Sequence, residues 1–194
     1  MSELEEFRQR KDEFFRTGDE SPLPADERES FAGLKYFPEN PALSFLVSLA
    51  RTPEEELEFE TSSGEKKRFK RIGKLGFSVE GQPAQLTLYF HEREIATERK
   101  RGQHQAESGS YFLPFRDLTS GQETYGAGRY LEVEEKPRRP DGVGAPTEAS
   151  VFELDFNYAY NPYCAYAPNY SCPLPPLENW LKVPIEAGEK KFHE

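Results

Sequence analysis

Two stretches of this sequence concentrate side chains whose types and spacing could do chemistry. Residues 114–130 set Arg116, Asp117, Tyr125, Arg129 and Tyr130 among threonine, serine and glycine. Residues 155–176 interleave Asn157, Tyr160, Asn161, Tyr163 and Cys164 with prolines and further tyrosines. A tyrosine offers a rigid ring with a polar tip, and an arginine offers a planar fork of donors, so the mixture suits a pocket for a small molecule or an anion. The same residues could run acid–base chemistry, with Asp117 or Glu186 exchanging a proton, Arg129 anchoring an anion and Tyr160 donating. A third use is internal, with the arginines and tyrosines bracing the fold as satisfied buried polar groups. The two blocks name no catalytic residue, cofactor or ligand, and leave open whether the protein is an enzyme.

Other chemistry is weaker. His91, His104 and His193 are far apart, and Cys164 and Cys172 lack zinc-knuckle spacing, so no metal is expected. Aspartate makes up only 6 of the 35 acidic residues, and no calcium loop is present. Gly126-Ala127-Gly128-Arg129 has neither Walker nor dinucleotide spacing and reads as a tight turn. A nucleophile elbow is missing as well. Cys164 sits among aromatic residues with no neighbouring histidine, which reads as a buried, inert thiol rather than an activated nucleophile. With seven residues between them and prolines in the loop, Cys164 and Cys172 are expected to be reduced but close in space.

Composition sets the outer limits. The chain of 194 residues suits one core, and 13% aromatic residues supply bulk that a disordered chain lacks. No apolar run reaches membrane-spanning length and the N-terminus is charged throughout, so the expected address is the cytoplasm, with no membrane partner. Two cysteines fit a reducing compartment. A formal charge of −10 repels phosphate backbones, and no nucleic-acid partner is expected. The basic run Lys66-Lys67-Arg68-Phe69-Lys70-Arg71 reads as solvated strand positions. A homo-oligomer remains compatible with these features.

The elements that must position the two blocks are mostly strands. Ser2 and Glu5 have capping-box spacing, Leu4, Phe7, Phe14 and Phe15 share one helical face, and Gly18 ends the segment. A second short helix is expected over residues 24–31, giving a helical arm at residues 1–33 that docks on the barrel or on a partner subunit. A single β-rich domain follows over residues 34–194. Its strand candidates are residues 43–49, 57–61, 75–79, 86–90, 111–115, 129–133, 151–156 and 180–185, with a hairpin across Glu80-Gly81-Gln82-Pro83 and an exposed loop at residues 136–146. The expected fold is mainly β, an antiparallel barrel or sandwich of about eight short strands with one or two N-terminal helices.

From about residue 34 to residue 190 the chain resembles the prokaryotic domain-of-unknown-function family sixteen-eighty-four. The resemblance rests on Gly33-Leu34-Lys35-Tyr36-Phe37-Pro38, Phe115-Arg116-Asp117-Leu118-Thr119-Ser120-Gly121 and Thr124-Tyr125-Gly126-Ala127-Gly128-Arg129-Tyr130. It continues through Asp155-Phe156-Asn157, Tyr160-Asn161-Pro162-Tyr163-Cys164-Ala165-Tyr166, Cys172-Pro173-Leu174-Pro175-Pro176, Asn179 and Glu186-Ala187-Gly188-Glu189-Lys190. Leu118 departs from the smaller residue of relatives. The resemblance implies that both blocks form one shared feature on a β-rich fold, and it transfers no catalytic residue.

Overall fold

The structure, a computed structural model, describes residues 1–92, 109–136 and 150–193. Helix α1 (Glu3–Thr17) opens on a completed capping box: Glu5 N donates to Ser2 Oγ at 3.2 Å, and Ser2 N donates to Glu5 Oε2 at 2.8 Å. Leu4 and Phe15 are buried on its inner face, and the Gly18 N–H closes the helix on Phe14 O at 2.8 Å. The second helix shrinks to a single turn, α2 (Ala25–Arg28). Arg28 explains why, because its guanidinium donates to the carbonyls of Leu23, Ser21 and Gly18 and so folds residues 18–28 into a compact turn.

Seven antiparallel strands follow: β1 (Ser44–Glu60), β2 (Lys66–Val79), β3 (Gln82–Glu92), β4 (Gly109–Phe115), β5 (Arg129–Leu131), β6 (Glu135–Lys136) and β7 (Val151–Asp155). They form one sheet in the order β5-β4-β3-β2-β1-β7-β6, curled into a half-barrel. The mainly β, antiparallel class expected from the sequence is therefore correct, and the about eight strands expected come to seven, of which β1, β2 and β3 are long rather than short. The candidates at 43–49 and 57–61 merge, apart from their outer residues Leu43 and Thr61, into one strand of 17 residues interrupted by a bulge between Arg51 and Glu55. Pro53 lies inside that bulge, where its missing N–H leaves no gap in the ladder. The expected hairpin forms, but its turn is the two residues Glu80-Gly81, with φ of 50° and 80°, and Gln82 and Pro83 already belong to β3.

Residues 180–185 are not a strand. They run extended beside the chain that leaves β4, with one isolated parallel bridge between Arg116 and Trp180. Leu181, Val183 and Ile185 still alternate into the core. Period-2 burial reports an extended backbone with one covered face, whereas a strand also needs a continuous ladder. The loop expected at residues 136–146 begins with Lys136 paired in β6, and its remainder lies outside the described residues, as does His104.

Leu75, Leu86, Leu88, Leu113, Phe115, Phe152, Leu154, Phe156 and Ile185 pack the concave face as the main core. A separate cluster of Phe15, Leu23, Phe31 and Tyr166 joins α1 and its turn to the second polar-aromatic block. Among the described residues no helix is long and apolar enough to cross a membrane.

Candidate functional site

The hairpin expected between the strands near residues 115 and 129 places Phe115 opposite Arg129. Adjacent residues on a strand point to opposite faces, so Arg116 and Arg129 share one rim of the sheet but look in opposite directions. Arg129 points inward and is fully buried with Asp117. Its Nη2 donates to Asp117 Oδ2 at 2.9 Å and to Ile185 O at 2.8 Å, while Nη1 donates to Ala187 O at 2.5 Å and Glu189 O at 3.2 Å. Asp117 Oδ1 accepts from the backbone and hydroxyl of Thr119 at 2.6 and 2.5 Å. Burial pushes the guanidinium below its usual range, and the Asp117 carboxylate works against that shift. One arginine thus ties three carbonyls of the C-terminal segment to the loop that follows β4.

Two glycines make that tie possible. Gly128 adopts φ of 107°, and a Cβ there would stand 2.6 Å from Phe115 O and 2.7 Å from Pro175 Cγ. Gly188 adopts φ of 73°, and a Cβ there would stand 2.5 Å from Ala159 O. Both sit in the left-handed region at close backbone approaches, where side chains other than hydrogen are strained. The turn read from Gly126-Ala127-Gly128 is therefore a packing device that delivers Arg129 to the interior.

The other predicted residues distribute around this brace. Arg116 lies half-buried with its guanidinium 4.1 Å from the Trp180 ring centroid. Asn157 exchanges hydrogen bonds with the backbone of Asn40, donating to its carbonyl at 3.0 Å and accepting from its N–H at 2.7 Å. Asn161 donates through its side chain to Lys190 O at 2.8 Å. Tyr130 donates to Pro173 O at 2.6 Å, and its backbone pairs with that of Tyr160. Tyr125 approaches Cys164, with its hydroxyl 3.8 Å from Sγ. Glu186, the other carboxylate considered for acid–base work, is exposed, whereas Asp117 has no solvent-facing side-chain surface.

Residues that the sequence reading missed complete the arrangement. Glu189 is buried beneath α1 and accepts from Asn161 N at 2.9 Å and Tyr166 Oη at 2.5 Å, with Lys11 Nζ of α1 at 2.5 Å. Asn179 links Thr87 and Pro114 by donating to both carbonyls at 2.9 and 2.8 Å, and it accepts from Thr87 N at 2.7 Å. A lysine on a charged helix face and a glutamate near the C-terminus carry no local signal of such burial. Cys172, buried beside Cys164, was read only as a close neighbour, but its sulfur accepts the Cys164 N–H at 3.3 Å.

Docking α1 leaves a groove of 930 Å³ between the helix, β7 and the second block. Tyr158, Tyr160 and Tyr163 line it with Phe7 and Phe14 of α1. Five carboxylates reach it, from Glu3, Glu132, Glu134, Glu153 and Asp155, against three cations, Arg10, Lys11 and Lys136. All three cations are already engaged, Arg10 by Glu6 at 3.7 Å, Lys11 by Glu189, and Lys136 by Glu134 and Glu153 at 3.5 and 3.1 Å. Lys11 Nζ also stands 4.7 Å from the Tyr160 ring centroid, and Tyr160 Oη donates to Glu132 at 2.6 Å. Burial and the Glu132 carboxylate push the Tyr160 phenol well above its usual range, which keeps it neutral.

Residues 29–190 match the family described as "Protein of unknown function (DUF1684)". The chain is also similar to an uncharacterized protein of Haloarcula marismortui known from a solution NMR structure. The two are 35% identical over 96% of this chain and 91% of that one, with a TM-score of 0.64. No curated protein is detectably similar to the chain.

Proposed function

The chain belongs to the DUF1684 family, whose description assigns no role, and from the geometry we propose that it is a binding module for a small organic cation held in the groove beneath α1. The observation that carries this reading is the lining itself: three tyrosines beside five carboxylates, against three cations of which Arg10 and Lys11 pair with carboxylates outside the lining and Lys136 with two of the five. Aromatic faces attract ammonium groups through their quadrupole, and nearby carboxylates add charge complementarity. Lys11 over Tyr160 is the protein's own instance of that contact. The second block thus supplies the polar aromatic pocket, while Arg129 and Asp117 of the first block hold it in shape. An anion has less to gain here, since Arg129 spends its terminal donors inside the fold.

Calorimetric titration with tetramethylammonium chloride tests the reading. Saturable binding in the range of about 1 mM, equivalent to about 4 kcal/mol, is expected. Glu132→Gln and Tyr160→Phe should weaken it without lowering the melting temperature appreciably, because both groups border the groove. Equal heats from sodium acetate, or none from the cation, would overturn it.

A further inference from the structure

Cys164 and Cys172 lie eight positions apart on a loop that turns back, so that the Cys164 N–H points at Cys172 Sγ from 3.3 Å. Both are free thiols, Cys172 buried and Cys164 partly exposed. The turn between β1 and β2 grips Cys172 from both sides: Cys172 N donates to Ser62 Oγ at 3.1 Å, and Ser62 N donates to Cys172 O at 2.8 Å. The resolving position is therefore fixed by backbone contacts, not left to a mobile side chain. Around Cys164 Sγ stand the Cys172 thiol, the Ser62 hydroxyl and the Tyr125 hydroxyl, the last at 3.8 Å. Lys67, which donates to Ser171 O at 3.2 Å, places a cation near Cys172.

Donors aimed at one sulfur stabilise its thiolate, which is the attacking species in thiol chemistry. The Cys172 thiol is the largest of these influences, and with Ser62 and Tyr125 it outweighs burial and brings Cys164 down to about 6. Cys172 is pushed up by the same contact and by burial, so it stays protonated until it is needed. The asymmetry of access agrees: a molecule from solvent reaches Cys164 first.

We infer that Cys164 and Cys172 form a thiol–disulfide exchange site acting on small disulfide-bonded molecules, with Cys164 attacking and Cys172 resolving. The Cys164 thiolate attacks one sulfur of R–S–S–R; a protein–S–S–R bond forms, the original S–S bond breaks, and RS⁻ leaves to take a proton from water. Cys172 then loses its proton to water and attacks Cys164 Sγ, releasing the second RS⁻. The protein is oxidised by two electrons, and the small disulfide is reduced to two thiols.

The test uses the reduced full-length protein and glutathione disulfide at neutral pH, with acid quench, alkylation and peptide mass mapping. Wild-type protein should end with one internal Cys164–Cys172 disulfide and no retained glutathione. Cys172→Ser should stop at a single glutathione adduct on Cys164, and Cys164→Ser should react about tenfold more slowly or less. In the wild type, iodoacetamide labelling of Cys164 should rise with pH around a midpoint near 6. Wild-type protein that keeps both thiols, or that keeps a glutathione adduct unresolved, overturns the inference, and both readouts stand even if a variant fails to fold. Faster labelling of Cys172 than of Cys164 would overturn the assigned roles.

Discussion

Replacing Arg129 by alanine removes the only guanidinium in contact with Asp117 among the described residues and the donor to three backbone carbonyls. Asp117 would keep the hydrogen bonds from Thr119 but lose its countercharge while fully buried. Breaking one side of a buried pair costs about 3–5 kcal/mol, because the surviving charge has neither water nor a partner. The stranded carbonyls of Ile185, Ala187 and Glu189 add about 1 kcal/mol each if water does not reach them. These contributions share one site and do not sum simply, but together they approach the whole stability of a domain, about 5–15 kcal/mol. Urea denaturation followed by Trp180 fluorescence should show Arg129→Ala losing at least about 4 kcal/mol or failing to fold. Arg129→Lys keeps the charge but cannot span a carboxylate and three carbonyls, and it should fall between, losing about 2 kcal/mol. A loss below about 1 kcal/mol for Arg129→Ala, with an unchanged denaturant slope, would be the size of a surface ion pair and would refute the brace.

Lys11→Met should lower the melting temperature by leaving Glu189 charged and buried beneath α1, and Lys11→Met with Glu189→Gln should recover part of the loss in the same thermal scan. Gly128→Ala should cost more than Gly64→Ala in chemical denaturation. Both glycines have positive φ, worth about 1–2 kcal/mol to a side chain, but only Gly128 would also press a Cβ against Phe115 O at 2.6 Å, whereas Gly64 has nothing within 4 Å. Equal losses at the two sites would show that the contact at Gly128 relaxes freely.

The strands and the capped helix were legible because each is written locally: Ser2 and Glu5 sit three residues apart, and Leu75, Phe77 and Val79 alternate. The pairing within the first block was legible too, since a hairpin must return Arg129 alongside Phe115, whereas the link to the second block is a single bridge between Tyr130 and Tyr160. What it hid depends on partners distant in the chain. Arg116 and Arg129 look alike in sequence, yet strand parity sends one over Trp180 and the other into the core. Glu189 and Glu186 are equally plausible carboxylates until α1 folds over the former and Lys11 meets it. Cys164 reads as an inert thiol because no histidine is near it in the chain, and the polar groups that surround its sulfur, Ser62 and Tyr125 beside Cys172, come from far away in sequence. β1 reads as two strands in the sequence because the bulge around Pro53 cannot be told from a strand end without the neighbouring strands.

The most direct test of the groove is a two-dimensional NMR titration that maps where an organic cation perturbs the protein. Addition of tetramethylammonium chloride to about 10 mM, enough to detect millimolar binding, should shift the signals of Tyr158, Tyr160, Tyr163 and Phe7 along one saturating curve. An equal concentration of sodium acetate should leave them in place. Shifts scattered over the surface without saturation, or the same shifts from acetate, would contradict the assignment of this groove to cationic ligands.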